Sequence, residues 1–164
     1  MILLDIDGCI SDDSWRIQFI RWYTPDPFER YDMYHMMSIF DKAYIPPQVR
    51  DVPAHEIYIL TAMPECYRAM RNMWLERNDL RFAHMLMRPN DDHQHSFALK
   101  AQMLDDLVTE YGVDLAQVTA AYDDREEIIQ LYQSRGIPGK LLKLHDTCAY
   151  TNPLEIKHEQ ENRA

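Results

Sequence analysis

Met1–Ile10 reads MILLDIDGCI. Ile2, Leu3 and Leu4 form a short all-apolar run, the pattern of a strand buried on both faces in a parallel sheet covered by helices. Asp5 and Asp7 stand where that strand ends, and Gly8 allows a sharp turn after them. Side chains two apart on a strand share a face, with α-carbons roughly 6–7 Å apart. Two acids are therefore expected to project together from a carboxyl-terminal strand end, the edge where open α/β sheets bind ligands. Carboxylates this close repel unless a cation or a shared proton relieves them. An isolated Asp-x-Asp-Gly is as often a plain loop start, so its meaning depends on the rest of the chain.

After Gly8 the segment from Ser11 to Arg30 holds turn and cap types at Ser11, Asp12 and Asp13, two prolines at 25 and 27, and a dense aromatic set: Trp15, Phe19, Trp22, Tyr23 and Phe28. Tyr31, Met37, Phe40 and Ala43 suggest one amphipathic helix over about 28–43, ended by Pro46 and Pro47. The string EIYILTAMPE gives a second strand over 56–60, leading to Thr61 and a helix over about 64–77. Its buried stripe is read as Cys66, Met70, Met73 and Trp74, with Arg68, Arg71 and Arg77 on the other face. A short strand over 84–87 precedes the polar loop RPNDDHQH. A helix over about 96–111 follows, with Phe97, Met103, Leu104, Leu107, Val108 and Tyr111 at helical spacing and Gly112 as its stop. VTAAYDD is a fourth strand ending in Asp123 and Asp124, REEIIQLYQSR a helix, and KLLKLH a fifth strand. Alternation of strand and helix predicts an α/β fold: a single Rossmann-like domain over 1–146, with about five parallel strands flanked by helices. A small helical insert over about 11–54 stands in place of a large cap, and a polar tail runs over 147–164.

At 164 residues and 46% hydrophobic, the chain is long enough for one substantial core. No run of about 18 apolar residues and no signal-peptide pattern is seen, so a cytoplasmic protein with no membrane partner is expected. Cys9, Cys66 and Cys148 are few and widely spaced, which indicates neither a disulfide framework nor a zinc ribbon. A net charge of −10 argues against an extended nucleic-acid surface, which would need many Lys and Arg contacts to phosphate.

Four groups fall at one kind of place: Asp5 with Asp7, Thr61, Lys100 near a helix start, and Asp123 with Asp124. Each alone has a dull explanation as a cap, a solvated charge or a turn former. Together they suit phosphoryl transfer. Asp5 is read as the nucleophile giving an aspartyl-phosphate, and Asp7 as general acid and then base. The Thr61 hydroxyl with the Ala62 backbone N–H, and the Lys100 ammonium, would bind phosphoryl oxygens. Asp5, Asp123 and Asp124 would hold Mg²⁺, the expected cofactor.

DIDGC, the Thr of ILTA, Lys100 and the YDD pair resemble the four motifs of the haloacid dehalogenase-like phosphatases over about 1–144. Within that superfamily YRAMRNMWL, LMRPNDD and DDREEIIQLYQSRGI resemble the phosphatase domain of polynucleotide kinases. The resemblance implies a polynucleotide 3′-phosphatase-like enzyme, with a phosphorylated nucleotide or nucleic-acid end as substrate. It adds the Asp7 backbone carbonyl to the metal ligands and Gly8 to the substrate-binding positions. Cys9 departs from the Thr or other small residue usual there, and no phosphate-cradling G-x-x-x-x-G-K-[ST] motif accompanies the domain. A small cover leaves an open site, which a polymer end can enter and which a second copy of the chain, as a homo-oligomer, can close.

Free nucleoside monophosphates are the rival substrates, since one nucleotide needs few cations and the aromatic segment can stack a base. Arg68, Arg71, Arg88 and Arg125 can instead form a patch for neighbouring phosphates. A signalling receiver uses a similar set, but with the acid pair first and the accepting Asp in mid-chain, and Asp7 has no use there. The loop Asp91–His95 reads as substrate-contacting rather than as a transition-metal site.

Overall fold

The structure, a computed structural model, describes residues 1–21 and 27–144. Trp22, Tyr23, the side chain of Phe28, Cys148 and the polar tail lie outside the described residues. The elements are β1 (Ile2–Leu4), β2 (Ser11–Asp12), α1 (Ile17–Arg21), α2 (Pro27–Met36), β3 (Lys42–Ala43), α3 (Pro47–Arg50), β4 (Ile57–Pro64) and α4 (Arg68–Arg77), followed by β5 (His84–Arg88), α5 (Ser96–Thr109), β6 (Ala120–Asp123), α6 (Glu126–Ser134) and β7 (Gly139–Leu141). Five strands form a parallel sheet in the order β5-β4-β1-β6-β7, so β1 is central: the chain steps outward through β4 to β5, crosses back to lay β6 against the other side of β1, and steps outward again to β7. This is the expected architecture.

Strand alternation assigns the two faces. Ile2 and Leu4 join Ile57, Ile59, Trp74, Leu75 and Met85 in the core under α4, while Leu3 joins Leu60, Leu99, Met103, Leu104, Ile128 and Tyr132 under α5 and α6. A strand sandwiched in this way must be apolar at every position, which is what the MILL run supplies. The register pairs Leu4 with Ile59 and with Tyr122, and the Asp5 N–H donates to the Tyr122 carbonyl (3.0 Å). Asp5 and Asp123 thus stand side by side on neighbouring strands. The chain turns past them with Gly8 at φ +76° and Ser11 N–H donating back to Ile6 O.

The insert is a small cover closed at its base by β2 and β3, which pair antiparallel with Ser11 opposite Ala43. Several sequence readings need correction. The helix expected over 28–43 ends at Met36 and continues as a 3-10 turn over Met37–Phe40, because the chain must straighten to form β3. Its buried side is Tyr34, Ser38 and Asp41, whereas Phe40 is 66% exposed and Tyr31 is exposed too. Pro47 opens α3 rather than ending a helix, a place where its missing N–H is no loss. In α4 the buried set is Arg71, Trp74 and Leu75, and Met73 is 59% exposed, so one arginine assigned to the outer face points inward. Phe97, Val108 and Tyr111 of the α5 region are likewise exposed, and the fifth strand is Gly139–Leu141 rather than 140–145.

Trp74 joins cover and core: its ring is fully buried and its Nε1–H donates to Asp41 O (2.9 Å). Trp74→Ala should cost about 3–5 kcal/mol in urea denaturation, while an exposed change such as Met73→Ala should cost under about 1 kcal/mol.

Candidate active site

The carboxyl edge of the sheet gathers the acids of β1 and β6. Asp5, Asp123 and Asp124 are all buried, and each offers a carboxylate oxygen within 4.8 Å of the other two. Lys100, on the first turns of α5, is buried as well and reaches across the sheet edge. Its Nζ donates to Asp5 Oδ1 (2.6 Å) and Asp123 Oδ2 (2.5 Å). Asp123 Oδ1 accepts the backbone N–H of Arg125 (3.1 Å) as α6 begins. Gly8 bears on this cluster directly, since a Cβ there would meet Asp124 Oδ2 at 2.6 Å. Only glycine lets the turn pass so close to the third acid.

Three carboxylates face one ammonium, and the imbalance shows at Asp5 and Asp124. Burial pushes Asp5 well above the usual carboxylate range; Lys100 opposes this, and Asp123 and Asp124 add to it. Burial, with the Asp123 charge, pushes Asp124 up to about 7. Burial would drive the Lys100 ammonium toward neutrality, but Asp123 and Asp5 more than reverse it and hold it well above its ordinary value. A further cation among the three acids would relieve the remaining repulsion. The donor set is all oxygen, which suits a hard divalent ion such as Mg²⁺. Cys9, buried among the same acids, has its thiol raised by burial and then by their charges. It is therefore a neutral packing residue, with no thiolate to serve as a nucleophile.

Asp7 was expected to share a face and a cation with Asp5, but the structure turns the two carboxylates to different partners. Regular pairing ends at Leu4, and the turn that follows points Asp7 toward the insert. Its Oδ1 accepts from Arg16 Nη2 and from Arg71 Nη2 (2.7 Å). Burial would raise the Asp7 carboxyl, but Arg71 and Arg16 outweigh it and hold the group well below the usual range. Thr61 is buried at the end of the regular part of β4, and its hydroxyl accepts the Met63 N–H (3.2 Å).

The expected arginine patch is not assembled. Arg68 is taken by Glu65 and by Met85 O (2.9 Å), and it lines a recess of about 250 Å³ beside β5 that does not include the acids. Arg71 is spent on Asp7. Arg88 ties Ala62 O (3.0 Å) to Gln94 O (2.8 Å), so it braces the loop Asp91–His95 against β4. Arg125 is paired with Glu127 and lies 3.4 Å from His95 Nε2, and it is about as exposed as Arg68. Sequence reading missed Arg16, Asp41 and His35. Arg16 is wholly buried, and His35 lies near Asp7 with its ring driven down to about 4 by burial. A lone Arg eleven residues after Asp5 carries no period and no spacing signal.

No protein-family model and no curated protein matches the sequence. Solved structures do. A chain of the Pnkp1/Rnl/Hen1 RNA repair complex superposes with a TM-score of 0.63 and 16% identity over 88% of this chain and 42% of that chain. A haloacid dehalogenase-like family hydrolase from Streptococcus pneumoniae superposes at 0.55 with 14% identity, over 97% of both chains. A hydrolase from Streptococcus pneumoniae TIGR4 gives 0.51 with 11% identity, over 98% of this chain and 97% of that one. This chain spans less than half the length of its match in the RNA repair complex. The fold is the haloacid dehalogenase-like fold, in agreement with the resemblance read in the motifs. Among the described residues no helix is long and apolar enough to cross a membrane.

The acid cluster makes stability depend on pH in a definite direction. Asp124 holds its proton to about 7 in the folded chain against an ordinary 3.8, so its contribution is full below 3.8 and is lost as pH rises through about 7. His35, depressed to about 4, acts in the opposite sense as pH falls, so the test is a difference. In chelator, wild type should lose roughly 5 °C of Tm relative to Asp124→Asn between about pH 6 and about pH 8. Added Mg²⁺ should restore it at the higher pH; parallel Tm curves for the two proteins would contradict the assignment.

Proposed function

We propose that the chain is a Mg²⁺-dependent phosphate monoester hydrolase working through a phosphorylated Asp5. The observation that carries this reading is the buried trio Asp5, Asp123 and Asp124, with Lys100 bridging Asp5 and Asp123 and a separate carboxylate, Asp7, two residues along the chain. Asp5, Asp123, Asp124 and the Asp7 backbone carbonyl would hold the ion. When bound, Mg²⁺ offsets charge on the phosphoryl group and sets it in line with a nucleophile.

The chain's own groups then divide the work. An Asp5 oxygen forms a bond to phosphorus as the ester P–O bond breaks, and the leaving oxygen takes a proton from Asp7. Water next attacks the aspartyl-phosphate, the bond from phosphorus to Asp5 breaks, and the water's proton passes to Asp7. Orthophosphate leaves, the proton held by Asp7 is released to solvent, and Asp5 and Asp7 are both restored as carboxylates. Lys100 and Thr61, with the Ala62 backbone N–H, take the phosphoryl oxygens whose charge builds during transfer. Arg16 and Arg71 keep Asp7 ionised between turnovers, which is the form that accepts the water's proton. The proton for the leaving group arrives with the substrate monoanion, whose second ionisation lies near pH ~6, and passes by way of Asp7 to the ester oxygen as its bond to phosphorus breaks.

Substrates of nucleotide type are favoured by the motif resemblance and by the likeness to a chain found in an RNA repair complex, and a 3′-phosphorylated polynucleotide end is the leading choice. Free nucleoside monophosphates are the second reading, supported by a specific observation: Arg68, Arg71 and Arg88 each bond to groups of the protein itself, so few cations remain near the acids for neighbouring phosphates. Asp5→Asn should lower kcat at least about 10³-fold with the fold unchanged. Turnover with Mg²⁺ on a 3′-phosphorylated oligonucleotide, on mononucleotides and on sugar phosphates ranks the substrates. Preference for mononucleotides would displace the polynucleotide reading, and a fully active Asp5→Asn would remove the nucleophile.

A further inference from the structure

Asp7 is gripped at one oxygen only. Both guanidiniums, Arg16 from the insert and Arg71 from α4, donate to Oδ1, whereas Oδ2 makes no hydrogen bond among the described residues and the side chain keeps 19% exposure. A carboxylate held this way by two charged forks cannot rotate without breaking both bonds, so the direction of its free oxygen is fixed.

The grip is itself held. Arg16 Nε donates to Asp41 at 2.9 and 3.0 Å, and Nη2 donates to it at 2.8 Å. Nη1 takes Tyr34 O (3.1 Å), and the guanidinium lies 4.0 Å from the centre of the Tyr34 ring. Asp41 is fixed in turn by the Ser11 hydroxyl (2.5 Å) and Trp15 Nε1 (3.0 Å). Its carbonyl receives Trp74 Nε1, three residues along α4 from Arg71. The clamp therefore closes a ring: insert to Asp7, Asp7 to α4, and α4 back to the insert.

Such an arrangement is costly if it only fills space. Arg16 and Arg71 are both fully buried, and Arg71 Nε and Nη1 have no hydrogen-bond partner among the described residues. Apolar side chains of similar volume would pack there with less desolvation. What the two charges achieve that apolar groups would not is a fixed orientation for one carboxylate.

We propose that Arg16 and Arg71 are positioning residues that aim the free oxygen of Asp7 at the leaving group and the attacking water. The insert, anchored through Asp41, is then a working part of proton transfer rather than a passive cover. This inference rests on the phosphatase reading, and it predicts a loss that depends on the leaving group.

Wild type, Arg71→Gln, Arg71→Lys and Arg16→Lys are compared with Mg²⁺ on p-nitrophenyl phosphate, whose leaving group departs as a stable anion, and on whichever nucleotide substrate wild type turns over faster, a 3′-phosphorylated oligonucleotide or a nucleoside monophosphate, whose alkoxide needs a proton. In the variants, first-turnover release of p-nitrophenol should stay within about threefold of wild type. Their later steady-state turnover, and the first turnover on the nucleotide, should each fall about 100-fold with KM little changed. The Lys variants should recover part of the nucleotide rate, and they carry the same comparison if Arg71→Gln does not fold. Equal loss in first-turnover rate on both substrates, or no loss on the nucleotide, would overturn the clamp while leaving the phosphatase reading in place. A wild type inactive on both substrates would remove both.

Discussion

Parallel register places two carboxylates where neither would settle alone. Leu4 pairs with Tyr122, so the next residues of β1 and β6 are Asp5 and Asp123, side by side on the face that α5 covers. Asp124 follows, let in by the missing Cβ of Gly8. The fold offsets this repulsion with a single buried ammonium, Lys100, delivered from α5. That leaves two negative charges more than positive ones in a buried space, an unstable balance unless protons or a divalent cation complete it. The apolar strands, the crossovers and the helix that carries Lys100 are the means by which the sequence holds this imbalance in place.

The second carboxylate of the DID string belongs to a different electrostatic world. Asp7 lies a turn away from the cluster and is held ionised by two buried guanidiniums, whereas Asp5 is pushed toward its protonated form. Two acids two residues apart thus meet opposite surroundings: Asp5 shares a buried space with two further carboxylates and one ammonium, and Asp7 faces two guanidiniums. The divergence comes from elements remote in sequence, Lys100 for one acid and Arg16 with Arg71 for the other. The insert belongs to the site for this reason, through Arg16 and the Asp41 that orients it.

Much of this was legible in the chain. The central strand, the alternation of elements and the positions of Asp5, Thr61, Lys100, Asp123 and Asp124 at strand ends or helix starts follow from local apolar runs, and parallel topology then brings those ends together. What escaped was polar and long-range. The buried side of α2 and the turn after it is Tyr34, Ser38 and Asp41, spaced as on a helix but polar, so an apolar-stripe reading chose Tyr31 and Phe40 instead. Arg71 looked solvated because its compensating charge, Asp7, lies 64 residues away. Arg16 is paired with Asp41, 25 residues on, across a cover whose outline no periodicity announces. The same blindness made Arg68 and Arg88 look like free substrate ligands, when their partners are Glu65, Met85 O, Ala62 O and Gln94 O.

The central claim is that phosphate passes covalently through Asp5. Acid-quenching the protein during Mg²⁺-supported turnover of a ³²P-labelled phosphomonoester, then mapping the labelled peptide, tests this directly. The account predicts hydroxylamine-labile label on the amino-terminal peptide at Asp5, absent when chelator replaces Mg²⁺. Sustained turnover with no label there, or with label on another residue, would contradict it.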